Sequence, residues 1–216
     1  RDTMLAVCDV PEALRAAASG YGLSRRRGGG VDASLGGKIS LLASMLELMR
    51  ARGTERIVIV SVTTQTLDLV GQLCQERGFP VIRLDGSISA GKRQQLVDRF
   101  NDASRDEFVF LLSSKAGGCG LNLVGASRLV LLDCDWNPAV DKQAAARVWR
   151  DGQKRRVYVY RFLARGTLEE KIFQRQLSKE GLHTIVVEEK AEAVSIASEA
   201  LRDLFQYDAH VESDTH

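Results

Sequence analysis

The sequence predicts an α/β fold of three layers: a mainly parallel sheet with helices on both faces. Three observations predict it. Short apolar runs rich in β-branched residues alternate with longer segments whose apolar residues recur at helical spacing. The first of these runs, "RIVIVS", has the β-branched character typical of a strand covered on both faces. Strands separated by helices pair in parallel through right-handed crossovers, which puts the helices on both faces. With 216 residues and 44% hydrophobic content the chain can bury a sizeable core.

Along the chain, residues 1–35 read as a connector, because "YGLSRRRGGGVDASLGG" is rich in Gly, Ser and Arg. The core unit spans 36–181. It opens with "LGGKISLLASMLELMRARG", where Ile39, Leu42, Leu46 and Met49 fall on one helical face and Gly53 ends the run. "RIVIVS" follows as the first strand. "TTQTLDLVGQLCQERG" is a helix that Thr63 or Thr64 could cap and Gly78 stops. After it come the strand "PVIRLDG", the helix "SAGKRQQLVDRFND", and the strands "EFVFLLS", "SRLVLLD" and "RVYVYRFLA". A helix carrying "QAAARVWRDGQ" separates the last two. Residues 182–216 form a C-terminal extension, acidic and weakly periodic after Lys190. No internal repeat is visible.

Composition narrows the function classes. Thirty Lys and Arg against 28 Asp and Glu leave a formal charge of +2, so attraction to nucleic acid must come from local clustering. Cys8, Cys74, Cys119 and Cys134 stand far apart, with no histidine at ligand spacing, so neither a metal site nor a disulfide framework is predicted and a reducing compartment fits best. No apolar run approaches the ~20 residues of a membrane span. A chain that begins without an initiator methionine reads as a fragment.

Two stretches imitate ATPase motifs. "LGGKIS" would need Gly where Asp32 stands and Ser or Thr where Ile39 stands, so Lys38 reads as an ordinary helix-start residue. "DEFVF" places Asp106 and Glu107 before the third strand, at the wrong edge of the sheet for ligand chemistry, and reads as a solvated turn.

Ligands in parallel sheets gather at the carboxyl ends of the strands, which makes the loops after Ser61, Asp85, Ser113 and Asp133 informative. In "QAAARVWRDGQ", Gln143, Arg147 and Arg150 lie at i, i+4 and i+7, so one helical face is predicted to present all three. The planar fork of arginine suits a phosphoryl group; the bland alternative is an exposed basic face. "SSKAGGCGLNL" packs three glycines into four positions after a strand, letting backbone N–H groups approach an anion, or simply making a tight turn. Trp136 in "DCDWNP" is either core or a contact aromatic. Lys92 and Arg93 in "ISAGKRQQ" sit at a helix start, which suits a phosphate or a solvated first turn. "KRR" at 154–156 and "SRRR" at 24–27 are common surface clusters, and Cys119 gains no role.

Four ordered blocks carry a resemblance: "IVIVSVTTQTLDLV", "LDGSISAGKRQQLVDRFN", "LLSSKAGGCGLNLVGASRLVLLDCDWNP" and "DKQAAARVWRDGQKRRVYVYRFLARGTLEEKIFQRQ". From about Gly36 to Gly181 the chain resembles the second RecA-like, helicase C-terminal lobe of Swi/Snf-type superfamily-two DNA translocases. "EEKIFQRQLSKEGL", the acidic stretch and "LRDLFQYDAHVESDTH" are similar to the recombination-repair branch. "LAVCDVPEAL" resembles that family's Leu-Cys-Asn-His-Pro segment and departs from it at Asp9 and Val10.

The resemblance implies the motor half of an ATP-dependent double-stranded DNA translocase in homologous recombination, nuclear and without membrane contact. It implies Arg147 and Arg150 as arginine fingers with Gln143 beside them, and Gly118 and Gly120 facing ATP. Ser114, Lys115, Trp136, Lys92 and Arg93 would meet DNA. ATP and Mg2+ would be held mainly by a first RecA-like lobe of the same polypeptide. A recombinase filament is the further partner implied. On this reading the full-length protein is a DNA-dependent ATPase and the isolated chain inactive. The alternative is a non-catalytic RecA-like module serving as a DNA or protein scaffold. A plain doubly wound nucleotide enzyme is argued down by the missing GxGxxG.

Overall fold

The computed structural model describes residues 36–53, 55–116 and 120–185. The connector at 1–35, with its "SRRR" cluster, and everything after 185 lie outside the described residues. The elements run α1 (Gly37–Arg52), β1 (Ile57–Ser61), α2 (Thr64–Glu76), β2 (Val81–Leu84), α3 (Ala90–Asn101), β3 (Val109–Ser113), β4 (Arg128–Leu131), α4 (Pro138–Val148), β5 (Tyr158–Arg161) and α5 (Leu168–Ile185). Among the described residues the sheet has five strands in the order β2-β3-β1-β4-β5, and every pairing is parallel.

Alternation along each strand divides the core. On one face Ile57, Ile59, Val109, Leu111 and Val130 pack with Leu42, Met45 and Leu46 of α1 and Leu67, Val70 and Cys74 of α2. On the other, Val58, Val60, Phe110, Leu112, Leu129 and Leu131 meet Val97 and Phe100 of α3 and Ala144 and Val148 of α4. Because β1 and β3 are buried at every residue, their side chains have no solvent face to alternate with. The three-layer α/β architecture read from the sequence is the one observed.

Local details follow the chain chemistry with some departures. Gly53 takes φ 78 as the C-cap of α1 and donates to Met49 O at 3.1 Å, a left-handed geometry that favours glycine. Thr63 occupies the N-cap of α2, yet its hydroxyl pairs with the Thr66 hydroxyl at 2.6 Å instead of capping the backbone. Lys38 stands in the first turn of α1, as expected, and is also tied to distant parts of the chain. Its Nζ donates to Leu132 O at 2.7 Å and to Glu169 at 2.6 Å, tying α1 to the end of β4 and to α5. α5 continues to Ile185, across the 181/182 boundary expected from the sequence.

The solvated turn expected at "DEFVF" is half right. Asp106 is exposed and takes two bonds from the Arg50 guanidinium, at 2.8 and 2.6 Å. Glu107 is instead buried and paired with Arg99, because it leads directly into Phe108, which the core takes in.

Candidate nucleotide and DNA interface

Two separate places hold the predicted site residues, and the topology explains why. Loops that leave β2, β3 and β4 open at the carboxyl edge of the sheet. α4 starts at that edge and must run back to the amino edge to feed a parallel β5, so its last turn lies far from the loops.

At the carboxyl edge β3 ends in a tight turn, in which Ser114 N donates to Ser61 O at 2.9 Å and Ala116 N to Ser113 O at 3.1 Å. The Ser114 hydroxyl oxygen is buried there without a hydrogen-bond partner, and Lys115 is exposed. Burying a polar group unanswered costs on the order of 1–3 kcal/mol, which a ligand oxygen would relieve. Gly118 falls outside the described residues. Gly120 takes φ 113 with open space where a side chain would project, which leaves its backbone approachable.

Arg93 is brought to this loop: its Nε donates to Ile88 O at 2.8 Å and its Nη1 to Ala116 O at 3.2 Å. It therefore braces the serine turn with donors that a phosphate would otherwise use. Lys92 beside it is exposed. Across the edge, Asp133 closes β4 onto β1 by accepting from Ser61 Oγ at 2.5 Å and Val62 N at 2.6 Å.

The turn that follows presents Trp136, 51% exposed, so this tryptophan is not core. Asn137 caps α4 by accepting from Ala139 N at 3.0 Å, and Pro138 starts the helix. Beneath the turn, Asp141 is buried against Arg161, at 3.3 Å, and Gln176. Burial pushes the Asp141 carboxyl up, with the Arg161 guanidinium opposing. Burial likewise raises the Cys134 thiol to about 11.

The arginine stretch departs from the single face expected. α4 ends at Val148; Trp149 turns extended, and Gln153 N donates to Arg150 O at 3.0 Å to close a turn with Gly152 at φ 95. Arg150 consequently lies beyond the helix and is exposed. Arg147 shares the inward face with Ala144 and Val148 and is only 8% exposed, while Gln143 points outward. The backbone still brings the two arginines to the segment that follows the glycine loop. Leu123 N donates to Arg147 O at 2.9 Å, and Arg150 Nη1 to Leu121 O at 3.3 Å.

Sequence reasoning passed over Asn122, whose Oδ1 is buried without a partner between buried Leu121 and Leu123. Its signal was available: a polar residue inside an apolar alternation. Among the described residues no group of three or more His, Cys, Asp or Glu could hold a metal ion, and no helix is long and apolar enough to cross a membrane.

Comparison with known proteins identifies the family and the fold. The helicase conserved C-terminal domain family matches residues 37–152. The DNA repair and recombination protein RAD54 of Oryza sativa subsp. japonica is 59% identical over 202 residues, covering 92% of this chain and 21% of its own length. Its namesake in Saccharomyces cerevisiae is 48% identical, with 91% and 22% covered. The chain thus spans a small part of these relatives. A solved structure, the C-terminal part of the Fun30 ATPase domain, superposes with a TM-score of 0.61 at 38% identity, covering 64% of this chain and 44% of that one. With its parallel five-stranded sheet, the chain belongs to the helicase conserved C-terminal domain family, as a RecA-like lobe of the Swi/Snf type in the recombination-repair branch.

Proposed function

We propose that this chain is the C-terminal motor lobe of an ATP-dependent double-stranded DNA translocase acting in recombinational repair in the nucleus. One observation carries the reading: the exposed Arg150 and the Arg147 backbone are stitched to the segment 121–123 that continues the serine–glycine loop. A single stretch of chain therefore joins the edge suited to a DNA backbone with the turn suited to a phosphoryl group.

ATP supplies the phosphoryl transfer that drives such a motor, and magnesium would be held mainly by a first lobe. The residues here fit the receiving side. The Arg150 fork would approach the nucleotide from across the cleft, with Arg147 fixing the base of the turn and adding its charge and Gln143 flanking it on α4. Gly118 and Gly120 would let the backbone close on the nucleotide's edge. At the carboxyl edge Ser114, Lys115 and Lys92 would meet backbone phosphates, with Arg93, expected from the resemblance to meet DNA directly, bracing the serine turn from behind, and Trp136 would lie against the groove. Phosphate contacts hold a duplex without reading its sequence, as translocation requires. The double-stranded duplex, the first lobe of the same polypeptide and a recombinase filament are the partners this reading implies.

ATP turnover by the full-length protein, measured with and without duplex DNA beside the isolated chain, tests it. Turnover should rise with duplex in the full-length protein and be absent from the isolated chain. DNA-stimulated hydrolysis by the isolated chain alone would overturn the half-motor assignment.

A further inference from the structure

Gln153 lies three residues beyond the exposed arginine and outside the motif face, and its side chain bonds to four backbone groups. Its Nε2 donates to Ala126 O at 2.7 Å, to Val148 O at 3.1 Å and to Val124 O at 3.2 Å. Its Oε1 accepts from Arg155 N at 3.0 Å. The orientation of the amide is fixed by this set, since reversing it would aim an oxygen at three carbonyls and an NH2 group at an N–H. Two hydrogens serve three acceptors, so one bond is shared.

These partners belong to two different pieces of chain. Val148 O is the last carbonyl of α4, which a helix end leaves without an intrahelical donor. Val124 and Ala126 sit on the segment that runs from the serine–glycine loop at the carboxyl edge down to the start of β4. Gln153 N meanwhile donates to Arg150 O and holds the arginine turn shut. One residue thereby fixes the arginine turn, the helix end and the descending loop segment relative to one another. Gly125, between its two acceptors, is seated as firmly: a Cβ there would come within 2.9 Å of Asn101 Cα and Phe100 O, so the segment has no room to slide towards α3.

We infer that Gln153 is a positioning residue that couples the serine–glycine loop to the arginine turn, so that a duplex seated at the carboxyl edge sets the place of Arg150. This rests on the motor reading above. Movement of residues 121–126 is delivered to the turn through the Gln153 amide, with the Leu123–Arg147 bond as the second tie. A glutamate here would be nearly isosteric and would set a carboxylate against three carbonyl oxygens. A methionine would keep the volume and remove every side-chain bond.

The test is ATP turnover by the full-length protein with Gln153→Met and Gln153→Glu, with and without saturating duplex DNA, alongside Arg150→Ala. The readout is the ratio of stimulated to unstimulated turnover, which partial misfolding does not alter because it scales both rates by the same active fraction. Coupling through Gln153 predicts that this ratio falls by about tenfold in both variants, while the KM for ATP moves less than about twofold. An unchanged ratio in both variants, with Arg150→Ala inactive, overturns the coupling and leaves the motor reading standing. Full stimulated turnover in Arg150→Ala would remove the motor reading and the coupling with it.

Discussion

The two ends of β3 carry stretches that look equally functional, and the fold treats them in opposite ways. At the amino end Asp106 and Glu107 are answered by Arg50 and Arg99. The surrounding amino edge is closed in the same manner. Arg56 donates to Phe100 O, to Asp102 O at 2.8 Å and to Arg105 O at 2.5 Å, and Arg155 donates to Gly125 O. A cavity of about 580 Å³ opens there, but its arginines are already spent on carbonyls and carboxylates. At the carboxyl end the Ser114 hydroxyl is buried and unanswered, Lys115 is exposed, and Trp136 stands 51% exposed nearby. The presence of charge does not distinguish a site from a staple; what does is whether the fold has already satisfied it.

On the motor reading proposed above, the arginine turn works with the open end, and the contrast should break most visibly there. In the full-length protein Arg150→Ala should cut ATP turnover by about 10³ to 10⁵, with ATP and DNA affinity changed far less. Arg150→Lys should rescue little, since a point charge cannot reproduce the planar fork. Arg156, whose guanidinium lies 5.3 Å from the Tyr158 ring centre, is the control of equal charge; Arg156→Ala should cost less than about tenfold. Equal damage from both would mean that general positive charge is at work.

A smaller effect separates the two ends of β3 themselves. Lys115→Ala in the full-length protein should weaken binding to all duplexes alike and lower the salt slope of affinity by about one unit. Arg50→Ala, at the closed end, should leave that slope in place. Binding titrations at several salt concentrations decide it, and a slope that drops for Arg50→Ala as much as for Lys115→Ala would erase the distinction.

How far the sequence revealed this depends on the kind of interaction. The strands were legible because full burial writes itself as unbroken apolar runs, as in Ile57–Val60 and Val109–Leu112. Loop positions were legible for the same reason, which put Ser114, Lys115 and Trp136 at the carboxyl edge. The arginine face was misread, because helical periodicity predicts where a side chain points only while the helix lasts. What ends α4 is a tertiary event: the Gln153 amide, five residues on, takes the Val148 carbonyl, and Gln153 N closes the turn. The bonds of Lys38 were not legible for a like cause, since its partners Leu132 and Glu169 are 94 and 131 residues away. Long-range hydrogen bonds leave no local pattern.

The smallest expected effect contrasts a carboxyl group from each edge by the sign of its pH dependence. The Arg50 guanidinium, chiefly through its hydrogen bonds, holds the exposed Asp106 carboxyl below its ordinary value. A depressed carboxyl contributes stability above the unfolded pKa of ~3.9, and that contribution is lost as pH falls through the lower folded value. Asp106→Asn should therefore be slightly less stable than the parent chain at pH 7, and the gap should close as the pH is taken below about 4. Asp141, at the carboxyl edge, has the opposite sign. Burial raises its carboxyl despite Arg161, so ionising it costs stability at neutral pH, and the cost fades as pH falls through the raised value. Relative to the parent, Asp141→Asn should accordingly gain stability as pH rises through that range, whatever the offset from its altered hydrogen bonds with Gln176. Urea unfolding at a series of pH values from 2 to 8 measures both slopes. Slopes of the same sign would show that the two edges do not differ in how they treat charge.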